Sequence, residues 1–508
     1  MLKTLKKTFL IYYTGNVFTP KHYQLEEPYM GTKANKLTTP FRFRDIDSQT
    51  LLTNEVGDYG FFRQDIIQKI FSNQLTKEEE IRLDGLSIDF DENKSWKLLS
   101  LARRVKSKLD LANQKLSYIL VVPTLRCDLS CVYCQVSRAP ITAKGFDWDK
   151  DTIKHFCKYL DGLETQKIQI EFQGGEVTLR PDIIKEVIEI CESKFSEAQF
   201  VICTNLLTIN KEIEEIYQKD NVVISTSIDG PEDVMAANRT NSSEKSAKFF
   251  ENLEYANKQY GHHKVSALPT ITEKMLDEPK NLVDFYISLG FDSIFLRPVN
   301  YMGFARKNFR ELSKDIDRWN DFYRQSIEYI IDVNKDSYFE EYYFSILLKN
   351  VVQIHNTGYV DFRSPNFYLQ DYCVIDFDGK IYPSDEARML SRTNHVDLSL
   401  GELDGSINSN KLKDLNWHSI NQTESDCLHC TYMPFCGIDM IDDMSRYNRI
   451  DSPKLDTWFC RRNTMAFDLI FEKIANKDLK WLDVFLKWIY RKPNPPKTYE
   501  IFYDSAEI

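Results

Sequence analysis

The chain has 508 residues, 42% hydrophobic and 13% aromatic: too long for one ordinary core, and too apolar to be disordered. Its net charge of −11, from 65 basic against 76 acidic residues, gives no electrostatic reason to bind nucleic acid. No apolar run approaches the eighteen or so residues of a membrane span, and the run at 9–13 is too short for a signal-peptide core.

Eleven cysteines, odd in number and clustered, without an export signal, point to a reducing compartment, so the expected location is cytoplasmic, with no membrane partner. Residues 1–39 are weakly patterned and read as an N-terminal extension. From Pro40, Phe41-Arg-Phe-Arg, Thr50-Leu-Leu-Thr-Asn and Gly60-Phe-Phe predict short strands. A helix over 64–71 follows, with Ile66, Ile67, Ile70 and Phe71 on one face, then an acidic helix over 77–83. Residues 40–110 therefore form a small α+β module.

Residues 111–308 alternate apolar runs at 118–122, 168–172, 199–203, 222–227, 265–269 and 293–297 with amphipathic stretches near 150–161, 181–195, 210–219, 243–260 and 279–289. Six β/α units predict a partial (β/α)6 TIM-like barrel, whose function gathers at the C-terminal strand ends.

The first strand feeds Cys127-Asp-Leu-Ser-Cys131-Val-Tyr-Cys134. Three thiolates can hold three irons of a [4Fe–4S] cube and leave the fourth open, whereas structural zinc wants a fourth ligand that is not nearby. The second strand ends in Gln173-Gly174-Gly175-Glu176, the third in Thr204-Asn205, the fourth in Ser227-Ile-Asp229, followed by Asn238-Arg239, and the sixth in Arg297-Pro298. Paired glycines admit a close ligand, and the carboxylates and arginines can meet ammonium, hydroxyl and carboxylate groups.

Residues 309–370 read as a helical connector whose aromatic residues serve packing. Farther on come Cys373, Ser384, then Cys427-x2-Cys430-x5-Cys436, Met440 and Cys460. Spacing alone leaves this group open to iron–sulfur or to zinc. Cys157, Cys191 and Cys203 fall among apolar residues and read as buried structural thiols. Residues 466–508 hold an apolar helix over 481–490 and a proline-rich tail.

The Cx3Cx2C loop with Tyr133 before its last cysteine resembles the signature of the radical S-adenosylmethionine (SAM) enzymes. That resemblance implies a [4Fe–4S] cluster at Cys127, Cys131 and Cys134 that chelates SAM and cleaves it reductively to a 5′-deoxyadenosyl radical. It also implies that Tyr133, Gly174, Gly175, Glu176, Thr204, Asn205, Ser227, Asp229, Arg239 and Arg297 surround SAM. Glu176 would take the methionyl amine, Ser227 and Asp229 the ribose, and Arg239 the carboxylate. The second cysteine group resembles the SPASM extension, over residues 371–465, with Ser384 and Met440 in place of two of its seven cysteines. This implies one auxiliary [4Fe–4S] cluster at Cys427, Cys430, Cys436 and Cys460, and leaves Cys373 alone at the other site. Asp385, after Ser384, takes the place of a proton-accepting base in sulfatase-maturing relatives.

The module at 40–110 resembles the winged-helix leader-recognition module of peptide-modifying enzymes; a plain cap on the catalytic domain fits equally. Tyr133-Cys134-Gln-Val-Ser-Arg138, Glu171-Phe-Gln-Gly-Gly-Glu176 and Tyr382-Pro-Ser-Asp-Glu-Ala-Arg388 resemble the radical SAM maturase of the His-Xaa-Ser peptide system. The resemblance implies an oxidoreductase-type peptide maturase acting on a ribosomally made precursor with a leader. Its other partners would be a flavodoxin- or ferredoxin-type electron donor and a second radical SAM protein. The rival readings are a radical SAM dehydrogenase of a small molecule and a non-catalytic partner of the same fold.

Overall fold

The computed structural model describes residues 39–88, 95–112, 115–309, 315–353 and 367–503. All but the last residue of the extension expected at 1–39 lies outside these, as does part of the connector.

The N-terminal module is a three-stranded antiparallel sheet, β1 (Phe41–Ile46), β2 (Gln49–Asn54) and β3 (Tyr59–Arg63), followed by helices Ile66–Ser72, Lys77–Gly85 and Ser95–Ala112. Successive residues of β2 serve opposite faces, as a strand requires. Leu52 packs with Phe62, Ile66, Leu83 and Leu86 inside the module, while Leu51 joins the main core. Phe71, expected on the buried face, is 78% exposed, because the helix is only seven residues long and Ile66 alone is fully covered.

The central sheet has eight strands: β4 (Tyr118–Thr124), β5 (Lys167–Gly174), β6 (Glu197–Cys203), β7 (Val222–Ser227), β8 (Val265–Leu268), then β11 (Tyr372–Ile375), β12 (Lys380–Tyr382) and β13 (Gly401–Glu402). Its spatial order is β8-β7-β6-β5-β4-β11-β12-β13. The first six strands are mutually parallel, and β12 and β13 continue it antiparallel. Helices Lys150–Asp161, Pro181–Lys194, Lys211–Tyr217, Ser243–Tyr260 and Pro279–Ser288 fall where the amphipathic pattern placed them.

The sixth strand departs from expectation. Only β9 (Ser293–Ile294) forms, and it pairs with β10 (Glu340–Glu341) instead of joining the sheet. The Leu296 amide donates to the Glu341 side chain at 2.9 Å, and Pro298 has no N–H to offer a ladder. A single bridge, Ile271 to Pro298, ties this segment back to the chain beyond β8. On the other side, β11 completes the sheet against β4. Tyr372–Ile375, just past the boundary expected at residue 371, is thus a strand of the central sheet.

The N-terminal sheet, remote in sequence from the second cysteine group, packs directly on it. Thr53 Oγ1 donates to the Thr431 carbonyl at 2.8 Å and Arg42 Nε to the Leu428 carbonyl at 2.7 Å. Tyr59 meets Phe471 edge-on at 5.2 Å. The C-terminal helix forms over Leu479–Tyr490, with Trp481, Phe485 and Trp488 in the main core. Among the described residues, no helix is long and apolar enough to cross a membrane.

Candidate active site

β5 reads Lys-Ile-Gln-Ile-Glu-Phe-Gln-Gly, an alternation that sends Ile168, Ile170 and Phe172 to the core and Gln169, Glu171 and Gln173 the other way. The inward rows of β4, β5, β6, β7 and β11 line a cleft of about 570 Å³ that runs from Tyr118, Gln169 and Tyr372 to the C-terminal ends of the parallel strands. Cys127, Cys131 and Cys134 all line it.

The cysteine loop is held by its backbone. The Val132 amide donates to the Asn238 carbonyl at 2.9 Å, and the Phe304 amide to the Cys134 carbonyl at 2.8 Å. Gly303 makes the second contact possible, since a Cβ there would sit 2.4 Å from the Gln135 carbonyl oxygen. Burial pushes the Cys127 thiol up to about 12 and also raises Cys131. These thiols are held protonated until a metal displaces the proton.

Gly174 and Gly175 also line the cleft, but their smallness first serves the loop. A Cβ on Gly174 would lie 2.2 Å from the Thr124 carbonyl oxygen, and one on Gly175 2.2 Å from that of Arg126. The absent side chains let the Gly175 and Glu176 amides donate to those carbonyls at 2.9 and 2.8 Å.

Two of the expected contact residues are buried carboxylates. Glu176 is 2% exposed and stands behind the wall. Its carboxylate accepts from the Thr178 hydroxyl (2.6 Å) and amide (3.2 Å) and the Thr204 hydroxyl (2.7 Å) on one oxygen, and from the Asn205 amide (2.7 Å) alone on the other. It ties the chain after β5 to the chain after β6. Asp229 is fully buried and likewise lies behind the wall. It accepts from Tyr133 (2.7 Å), Asn238 (3.3 Å) and the Thr270 amide (3.0 Å), so it holds the framework. Burial raises both carboxyls above the ordinary range.

Tyr133, Thr204, Asn205, Ser227, Arg239 and Arg297 do line the cleft. Asn205 Nδ2 also donates to Asp128 in the cysteine loop at 2.6 Å. Arg239 lies in a π-turn, Ala236–Thr240, a distortion often found at functional sites, and donates to the Tyr133 hydroxyl at 2.7 Å. Burial works against its charge, but Tyr133, Cys131 and Asp229 more than offset that and hold it fully cationic.

Asp385 faces the cleft from the first turn of helix Asp385–Ser391 and is fixed by Arg388 Nε at 2.8 Å. Ser384 is that helix's N-cap, accepting from the Ala387 amide at 3.1 Å, and Met440 is 2% exposed in an apolar cluster. Cys373 is fully buried and faces the Tyr159 hydroxyl at 3.7 Å, while its neighbour Tyr372 faces the cleft. Strand alternation thus turns Cys373 away from the cleft that Tyr372 lines.

Cys427, Cys430, Cys436 and Cys460 line one separate, largely apolar cavity. Burial, reinforced by the other thiols, pushes Cys436 up to about 12 and Cys460 up to about 11. The donor set suits a buried iron–sulfur cluster. Among the described residues, no three His, Cys, Asp or Glu side chains group tightly enough to hold a single metal ion.

Sequence reasoning missed several cleft residues. Cys191 is a core thiol, as expected, and Cys157 is half-buried on an outer helix. Cys203 instead lines the cleft and donates to Glu171 at 3.3 Å. Tyr118, Gln169 and Tyr372 were not singled out either, and the available signal was polar side chains at alternate positions of otherwise apolar strands.

Residues 121–297 match the Radical SAM superfamily model. The chain is 32% identical over 119 residues to an uncharacterized protein of Methanocaldococcus jannaschii, which covers 23% of this chain and 40% of the relative. It is 19% identical over 180 residues to an uncharacterized protein of Methanothermobacter thermautotrophicus, covering 34% and 65%. The chain thus spans less than two thirds of either relative. Its fold resembles that of native anSMEcpe with bound AdoMet and Cp18Cys peptide, with a TM-score of 0.56 and 16% identity, covering 72% of this chain and 99% of that one.

Proposed function

We propose that this chain, whose residues 121–297 form a radical SAM domain, is an enzyme that modifies a peptide by SAM-dependent radical chemistry. One observation carries the reading: three cysteines, Arg239, Ser227 and the carboxylate of Asp385 line the same cleft. A [4Fe–4S] cluster on Cys127, Cys131 and Cys134, with SAM, would supply the radical that removes a substrate hydrogen.

The chain's own groups do the positioning. Arg239, fixed by Tyr133, offers a charge-assisted contact to the SAM carboxylate, and the backbone at Gly174 and Gly175 lies open to the methionyl end. Ser227, Thr204 and Asn205 supply polar contacts to the nucleoside part. The sheet and its helices exclude water from the reacting carbon. Asp385, held by Arg388, is the base that takes the substrate proton.

The four-cysteine cavity holds a single auxiliary [4Fe–4S] cluster. We favour iron–sulfur over zinc there because the barrel domain already commits the chain to such clusters. The module at 40–110 receives the leader of a ribosomally made precursor, with His-Xaa-Ser repeats as the candidate target. A solved structure of the same fold holds both AdoMet and a peptide, which supports a peptide substrate. Electrons come from a flavodoxin- or ferredoxin-type donor.

The test is anaerobic reconstitution followed by SAM, reductant and the small peptide encoded beside the gene. 5′-Deoxyadenosine should form, and Cys127→Ala should abolish it. A cluster-loaded protein that makes none would mark a non-catalytic partner instead.

A further inference from the structure

Charge is divided along the cleft. Its basic lining residues, Arg138, Arg239 and Arg297, all stand outside the strands of the central sheet. The sheet positions that line it carry no Lys, Arg or His and a single carboxylate, Glu171 on β5. Glu171 pairs with Val201, and Val201 with Val223, four residues before Ser227. At about 3.3 Å per residue, it stands roughly 13 Å along the strands from the end that Ser227 marks.

Glu171 is half-buried and meets only neutral donors. Its Oε1 accepts from Gln173 Nε2 at 2.6 Å and from Cys203 at 3.3 Å, and its Oε2 from the Tyr118 hydroxyl. Among the described residues no Lys, Arg or His forms an ion pair with it, and Oε2 keeps an acceptor site. Asp385, the carboxylate on the adjoining helix, is by contrast answered by Arg388 Nε at 2.8 Å.

Tyr372 packs its ring against that of Tyr118, with centroids 5.0 Å apart. It is 7% exposed and lines the cleft. Its hydroxyl is open, unlike the sealed phenol of Tyr217, and has no hydrogen-bond partner among the described residues. Burial first, then Asp385, Tyr118, Glu386 and Glu171, push this phenol well above its ordinary value, so it stays a neutral hydroxyl that can accept. A carboxylate without a counter-charge and an open hydroxyl, in one walled cleft, suit a cation that carries N–H donors. The two tyrosine faces add to its attraction.

We propose that Glu171 and the Tyr372 hydroxyl form a cation subsite that receives a basic side chain of the substrate peptide. The inference rests on the peptide reading above. Lysine, arginine and protonated histidine share the required chemistry: a positive charge with N–H donors on an apolar stem. The span from Glu171 to the Ser227 end leaves room for one such side chain, with its backbone toward the cysteine loop. Capture of its head therefore selects which residue is presented to SAM, which makes Glu171 and Tyr372 specificity-determining residues.

The subsite can be probed without any radical chemistry. In the reconstituted full chain, Tyr372 alone is replaced by 3-fluorotyrosine through stop-codon suppression, and its fluorine resonance is followed. The Nα-acetyl N-methylamides of lysine, arginine, histidine and norleucine are titrated in, histidine at about pH 5.5, where its imidazole is protonated. At least one of the three cationic probes should shift the resonance with low-millimolar affinity, the scale expected from one charge-assisted contact and one hydrogen bond. Norleucine, a lysine side chain without its ammonium, should not shift it, and Glu171→Gln should weaken the response about tenfold. The cation that binds most tightly names the basic residue. Silence toward all three cations, an equal response to norleucine, or an undiminished response in Glu171→Gln overturns the subsite. If Glu171→Gln does not fold, the contrast between lysine and norleucine in the otherwise wild-type chain still decides. Because the readout uses neither SAM nor reductant, its failure is separate from any failure to make 5′-deoxyadenosine.

Discussion

The Tyr133 hydroxyl donates to the buried Asp229 carboxylate at 2.7 Å and so fastens the cysteine loop to the segment that follows β7. Arg239 donates to the same hydroxyl at 2.7 Å. One phenol therefore sets both the loop that carries the thiols and the direction of the guanidinium. Tyr133→Phe removes one of three donors from Asp229 and the acceptor from Arg239. The expected result is a loss of about 1–3 kcal/mol in denaturant unfolding, together with weaker SAM binding measured by calorimetry. Unchanged SAM affinity would separate Arg239 from the SAM carboxylate.

Asp385→Asn keeps an oxygen for Arg388 and loses the base. Yield of modified peptide should fall by roughly 10²–10⁴-fold while 5′-deoxyadenosine formation persists. Full product from this variant removes Asp385 from the mechanism.

The two cysteine sets make separate demands on iron. Reconstituted protein should carry about eight irons, and Cys127→Ala or Cys436→Ala about four, by iron and acid-labile sulfide analysis. If Cys436→Ala keeps its full iron content and the wild type contains zinc, the auxiliary site is not a cluster.

Glu341 gives stability a pH dependence. Burial pushes its carboxyl up to about 7 despite donors from Tyr323 (2.5 Å), the Phe344 amide (2.6 Å) and the Leu296 amide (2.9 Å). The unfolded chain ionises at the ordinary glutamate value, so between there and about 7 the folded state holds the extra proton. The contribution is complete below that window and is lost as pH rises through it, on the order of 3 kcal/mol. Urea midpoints at about pH 5 and about pH 8 should differ in the wild type, and Glu341→Gln should flatten the difference. An undiminished slope in the variant would assign the pH dependence to other groups.

What was legible in the chain follows from period and spacing. Five of the six barrel strands and the helices between them repeat at periods of two and 3.6, and the structure keeps them. The sixth strand stayed short because its competitors are tertiary: β10 pairs with it and the Glu341 side chain takes the Leu296 amide. The cysteine sets were visible because ligand spacing is local. The protein partners of Glu176 and Asp229 were not, since sequence does not show which hydroxyls and amides a strand-end carboxylate will meet. Cys203 and Glu171 hid for a related reason: which face of a parallel strand lines the cleft depends on sheet closure, and both faces of such a strand are covered.

The most direct test of the account runs the reconstituted protein, anaerobically, with SAM, reductant and the gene-neighbour peptide, in water and in deuterated water. The peptide's mass and 5′-deoxyadenosine are recorded together, with Cys127→Ala as control. The account predicts a changed peptide mass, or a one-deuterium gain in deuterated water for an epimer, alongside 5′-deoxyadenosine and absent from the control. 5′-Deoxyadenosine with a peptide unchanged in both solvents would contradict the peptide-modifying function.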